Sequence, residues 1–170
     1  IIYSIGVCMM FGFSALYHRV DWRSRVLIIM RRLDHSAIFV MIAGSFTPIC
    51  LLVLPGNTGI QLLFIIWIIA GIGILQTVLF TETPRLIRAG IYLVAGYMAI
   101  PYLSVMFSVM SMTNFILTAA SGTIYTVGAI GYGFQFPDIS PKYFGYHEFF
   151  HILVSIAAVL HFIVIYSIVG

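Results

Sequence analysis

Six apolar runs, each close to the length needed to cross a bilayer as a helix, leave this chain few ways to fold. They cover roughly residues 1–18, 33–54, 60–80, 87–108, 114–134 and 146–169. Inside a bilayer no water satisfies the backbone, so each run is expected to be a helix. A barrel would instead show short segments of alternating polarity, and these runs are too long and too uniformly apolar for that. Composition agrees, because 62% of the residues are hydrophobic and only 8% charged. A water-soluble fold of 170 residues has too little interior to hide so much apolar surface. The expected class is an all-α integral membrane protein, one transmembrane helical domain over 1–170.

The breaks between runs are legible. Pro55-Gly56-Asn57-Thr58-Gly59 reads as a tight turn, and Thr81-Glu82-Thr83-Pro84 as the end of one helix and the start of the next. Ser111-Met112-Thr113-Asn114 is short and neutral. Phe136-Pro137-Asp138-Ile139-Ser140-Pro141 forms a loop ahead of the last run. Pro48 and Pro101 fall inside runs and are expected to kink them. Gly122, Gly128, Gly131 and Gly133 suit the fifth run to close helix packing. Cys8 and Cys50 sit in apolar runs without CxxC spacing and read as reduced, buried thiols. Ile1 opens inside an apolar run with no basic segment before it, which reads as a chain lacking an earlier helix rather than as a signal peptide.

Charge sets the expected orientation. Arg19, Arg23, Arg25, Arg31 and Arg32 lie in the first loop, Arg85 and Arg88 at the third, and Lys142 in the fifth. All 8 basic residues then fall on one side, which the positive-inside rule makes cytoplasmic, with the C-terminus outside. The net charge of +3 argues topology, and no basic polar surface suited to nucleic acid is present.

The same count brings several reactive groups to that side. Ser14 and His18 stand one turn apart at the end of the first run, Asp34 opens the second, and His147 and His151 stand one turn apart at the start of the last. Polar groups of this kind are rare in spans unless they have a task. An i,i+4 pair shares a helix face, so His147 and His151 can bind one metal ion, and His18 can add a third nitrogen. Three histidines with water in the fourth position form the open, catalytic kind of zinc site. Zinc makes hydroxide available near neutral pH, Asp34 could take or orient that proton, and Ser14 could hold the water or a substrate carbonyl. A site at headgroup depth suits a lipid amide or ester.

Each residue also has a plainer reading. Asp34 could pair with Arg31 or Arg32 or cap its helix. Ser14 could bond to its own helix carbonyl. His35 reads as interfacial and beside the site. His161 reads as a satisfied bundle histidine or a member of a polar path. His147-Glu148-Phe149-Phe150-His151 also spells HExxH, in which Glu148 would be the base of a metalloprotease.

The combined pattern resembles the hemolysin III branch of the progestin and adipoQ receptor family. It rests on Ser14-x-x-x-His18, Asp34 and His147-x-x-x-His151, flanked by Arg32-Leu33-Asp34-His35-Ser36-Ala37-Ile38-Phe39, Ala43-Gly44-Ser45-Phe46-Thr47-Pro48 and Gly145-Tyr146-His147-Glu148. The resemblance implies seven transmembrane helices, of which six are visible here. It implies zinc held by His18, His147 and His151, with Asp34 and Ser14 around its water. It further implies a relation to alkaline ceramidases, hence zinc-dependent hydrolysis of lipid amides in a bacterial membrane or a role in membrane-lipid homeostasis. The other readings are a haemolysin-like pore, a membrane sensor with structural zinc, and the HExxH protease.

Overall fold

A computed structural model describes residues 1–140 and 144–170. Lys142, counted among the cations of one side, and Pro141, the end of the last loop, lie outside the described residues. The chain is all-helical, with α1 Ile2–Arg19, α2 Ser24–Leu52, α3 Gly56–Leu79, α4 Arg85–Tyr97, α5 Leu103–Val109, α6 Met112–Phe134 and α7 Tyr146–Val169. Ser140 and Phe144 form one isolated antiparallel bridge before α7. Among the described residues five stretches are long and apolar enough to cross a membrane: α2, α3, the α4–α5 stretch Arg85–Val109, α6 and α7. The protein is a multi-pass membrane protein. α1, the sixth expected span, does not reach that threshold, because its 18 residues end on His18 and Arg19.

Two compact units divide the chain, Ile1–Thr83 and Pro84–Gly170. In the first, α2 packs between α1 and α3. Close approach depends on glycines, including Gly44 of α2 against the Ile2 carbonyl of α1. Gly6 of α1 lies against the Val40–Met41 backbone, Gly59 of α3 against the Cys50 carbonyl, and Gly73 of α3 under the Phe39 ring. A side chain at Gly59 or Gly73 would have to occupy space already filled.

α2 begins well before the expected residue 33. Arg25, Arg31 and Arg32 are good helix formers, and neither glycine nor proline follows Asp21 to stop the helix. At 1.5 Å per residue, its 29 residues extend about 43 Å, more than the hydrocarbon core requires. Its basic first turns therefore have length to spare for the polar interface. The preceding turn is tied back by Trp22, whose indole N–H donates to the Leu16 carbonyl at 2.8 Å. α3 likewise starts at Gly56 rather than 60, so the tight turn contracts to the residues around Pro55, with Gly56 at φ +50.

The second unit packs α6 between α4 and α7. Gly133 meets Leu86 and Ala89 of α4, and Gly128 meets Phe150 and Leu153 of α7. Gly131 is buried at the α6 end, against the Phe136 carbonyl, whereas Gly122 faces open space and has no packing role inside the unit. Pro101 does more than kink its span. It has no N–H to continue the ladder, and the helix breaks into a 3-10 turn over Ile100–Tyr102 before α5. Ser111 caps α6 by accepting from the Asn114 N–H at 3.2 Å. Gln135 closes α6 in the left-handed conformation, and the Phe136 N–H returns to the Gly131 carbonyl at 2.9 Å. Cys8 is exposed, Cys50 buried, and both are free thiols.

Candidate functional site

In the first unit the reactive groups stand where α1 ends and α2 is entering its fourth turn. α1 runs unbroken through Ser14 and His18, which keeps them one turn apart on one face. Ser14 is half-buried and His18 exposed. Tyr17 links the two helices, its ring edge-on to His18 at 4.6 Å between centroids and 6.5 Å from His35.

Asp34 is buried, and the His35 Nε2 lies 4.0 Å from its Oδ2. The expectation that Asp34 heads its helix is corrected, since α2 starts at Ser24 and leaves Asp34 in the helix interior. A capping role is thereby removed. Nor do the arginines turn toward it. Arg31 donates to Glu82 at 3.5 Å, and Arg32 Nε donates to Thr81 Oγ1 at 3.0 Å. For Arg32 helical geometry contributes, because residues two apart point about 200° from each other; Arg31, three apart, shares the Asp34 side of the helix and still turns to Glu82. Arg32 faces α3, and Asp34 faces the other way.

In the second unit His147 and His151 occupy the first two turns of α7. Their Nε2 atoms lie 3.0 Å apart and their rings are nearly perpendicular, 4.6 Å between centroids. The i,i+4 expectation is met as a direct approach of two nitrogens. Aromatic rings enclose the pair. Tyr132 of α6 lies 5.9 Å from the His147 ring, 5.1 Å from Phe150 and 6.3 Å from Tyr146. Phe150 lies 5.6 Å from the His151 ring. Tyr146 in turn accepts a 2.7 Å hydrogen bond from Arg85 of α4.

Sequence reading missed Tyr17, Tyr132, Tyr146 and Arg85. The only signal for Tyr146 was its place next to His147. Tyr17 and Tyr132 carry no spacing that separates them from ordinary packing aromatics.

Glu148, the acid of HExxH, is exposed and turned back to the helix start, where its Oε2 accepts from the Gly145 N–H at 2.9 Å. Glu148 thus serves as an N-terminal cap of α7. Farther along α7, His161 is buried and its Nδ1 meets the Ser121 hydroxyl of α6, which also bonds to the Ala157 carbonyl at 3.0 Å. It is a packed seam histidine, well removed along α7 from the pair.

Comparison with known proteins decides what group this is. The family model described as haemolysin-III related matches residues 1–162. The chain belongs to the haemolysin-III related family. Among its relatives, the Hemolysin-3 homolog of Bacillus subtilis (strain 168) is 33% identical over 131 residues, 77% of this chain and 61% of that protein. Hemolysin-3 of Bacillus cereus is 34% identical over 131 residues, 76% of this chain and 58% of that protein. The human Monocyte to macrophage differentiation factor is 28% identical over 173 residues, covering 98% of this chain and 68% of that protein. The match to the two haemolysin-III relatives from Bacillus thus spans about three fifths of their length.

Proposed function

We propose that this haemolysin-III family protein holds zinc with His18, His147 and His151 at the cytoplasmic face of the membrane and hydrolyses lipid amide bonds there. The observation that carries the reading is the 3.0 Å approach of the His147 and His151 Nε2 atoms. Two nitrogens bound at 2.0–2.1 Å to a tetrahedral zinc stand about 3.3 Å apart, so the pair needs little adjustment to become two ligands. His18 is the third nitrogen that span counting brings to the same face, and it is exposed at the end of α1. Three histidine ligands leave the fourth position open, and zinc so held supplies the Lewis acidity that activates water near neutral pH.

The chain's own groups divide the remaining work. The buried Asp34 carboxylate receives the proton from the attacking water. His35, 4.0 Å from that carboxylate, steadies its charge, and Asp34 returns the proton to the amine nitrogen as the C–N bond breaks. Ser14, one turn from His18, donates to the carbonyl oxygen of the lipid amide. The Phe150 and Tyr132 rings shield the histidine pair on its apolar side. With Asp34 as base, Glu148 keeps its capping role, which disfavours the HExxH protease.

The test is metal content and turnover of the detergent-purified chain, wild type beside the His147→Ala/His151→Ala variant. About one zinc per chain, lost in the variant together with fatty-acid release from ceramide, supports the reading. A folded wild type that takes up no zinc when zinc is supplied overturns it. Zinc without turnover on any lipid amide leaves the sensor with structural zinc.

A further inference from the structure

We infer that Arg85, held against Tyr146, is a recognition point for the phosphate of an anionic lipid at the membrane face that carries the histidine pair. The inference goes beyond the hydrolase reading and rests on neither zinc nor turnover. Arg85 opens α4 directly after Pro84, and Tyr146 opens α7. The guanidinium donates to the Tyr146 hydroxyl at 2.7 Å, and its central carbon stands 5.6 Å from the Tyr146 ring centroid. Hydrogen bond and ring together fix an exposed side chain that would otherwise sample many rotamers.

The pinned cation lacks a counter-charge. Among the described residues no carboxylate pairs with Arg85, whereas Arg31 meets Glu82. Glu148, the acid of the same helix end, is committed to the Gly145 N–H. A guanidinium has five N–H donors, and Tyr146 takes one. The rest form a planar fork that matches two phosphate oxygens. A cation needed only for topology requires no fixed orientation, since a mobile lysine serves as well. Tyrosine at a helix start also suits the interfacial layer, where lipid phosphates lie. Tyr146 is next to His147, with 6.4 Å between ring centroids, so a lipid held by its phosphate at Arg85 has its linkage region beside the pair.

The experiment is native mass spectrometry of the delipidated full chain, titrated with phosphatidic acid, phosphatidylcholine or inorganic phosphate. The wild type is expected to take phosphatidic acid about tenfold more tightly than phosphatidylcholine, the size of a charge-assisted hydrogen bond. Arg85→Gln should abolish that preference, Tyr146→Phe should weaken it, and Arg31→Gln should leave it intact. Arg85→Lys keeps the charge without the fork and should lose most of the preference, which keeps the test open if Arg85→Gln fails to fold. No preference in the wild type, full preference in Arg85→Lys, or equal losses in Arg31→Gln and Arg85→Gln would each overturn the inference. Displacement of phosphatidic acid by an equal concentration of inorganic phosphate would also overturn it, by assigning the site to a soluble anion.

Discussion

The Nε2 atoms of His147 and His151 approach to 3.0 Å across one turn of α7. At that separation one neutral ring can donate an N–H to the other, and an ion bound by both nitrogens, as proposed, would take the place of that proton.

Zinc should therefore stabilise the metal-stripped protein. At a free concentration a hundredfold above the dissociation constant, linkage gives about 2.7 kcal/mol. The check is thermal unfolding in detergent with and without zinc, in wild type and in His147→Ala/His151→Ala. An equal gain in both proteins would place the zinc elsewhere.

Asp34 and Glu148 should separate cleanly. Asp34→Asn is expected to remove turnover while leaving zinc content near wild type. Glu148→Gln should keep turnover and lower stability by about 0.5–1 kcal/mol, because only the charged part of its cap at Gly145 is lost. Hydrolysis lost in Glu148→Gln and retained in Asp34→Asn would instead favour the protease.

Gly73 and Gly122 offer a contrast in packing. Gly73→Val must displace the Phe39 ring and should destabilise the first unit by about 1–3 kcal/mol, visible as a lower melting temperature. Gly122→Ala meets open space within its unit and should be neutral or stabilising by up to about 1 kcal/mol. A melting temperature for Gly73→Val matching wild type would contradict the Phe39 contact.

The buried Ser121–His161 bond predicts a non-additive pair. Ser121→Ala should lower stability by about 1–3 kcal/mol, since a buried imidazole loses this hydrogen bond. His161→Leu added to Ser121→Ala should recover most of that loss, because both polar partners are then gone. Additive losses, read from the two melting curves, would argue that this bond is not what keeps His161 in place.

The difference between legible and illegible features runs through α2. Its apolar half from Ala37 to Leu52 announced a span, but nothing local marked Ser24 as the start, because arginines suit a helix and a loop alike. The partners of Arg31 and Arg32 were equally hidden. Nearness in sequence suggested Asp34, and only the packing of α3 against one face of α2 directs them to Glu82 and Thr81.

By itself the sequence determined that this is a multi-pass helical membrane protein of the haemolysin-III family, with a histidine pair on one turn of its last helix. Those features are local, set by apolar run length and by the 3.6-residue repeat. Tertiary structure alone decided which aromatic rings enclose the pair, that His35 stands beside Asp34 while Arg31 and Arg32 turn to Glu82 and Thr81, and that Tyr146 holds Arg85. The enclosure and the Arg85–Tyr146 contact depend on the register at which helices distant in sequence meet, and the surroundings of Asp34 on which faces of α2 its neighbours cover. Neither is written in the residues of any one helix.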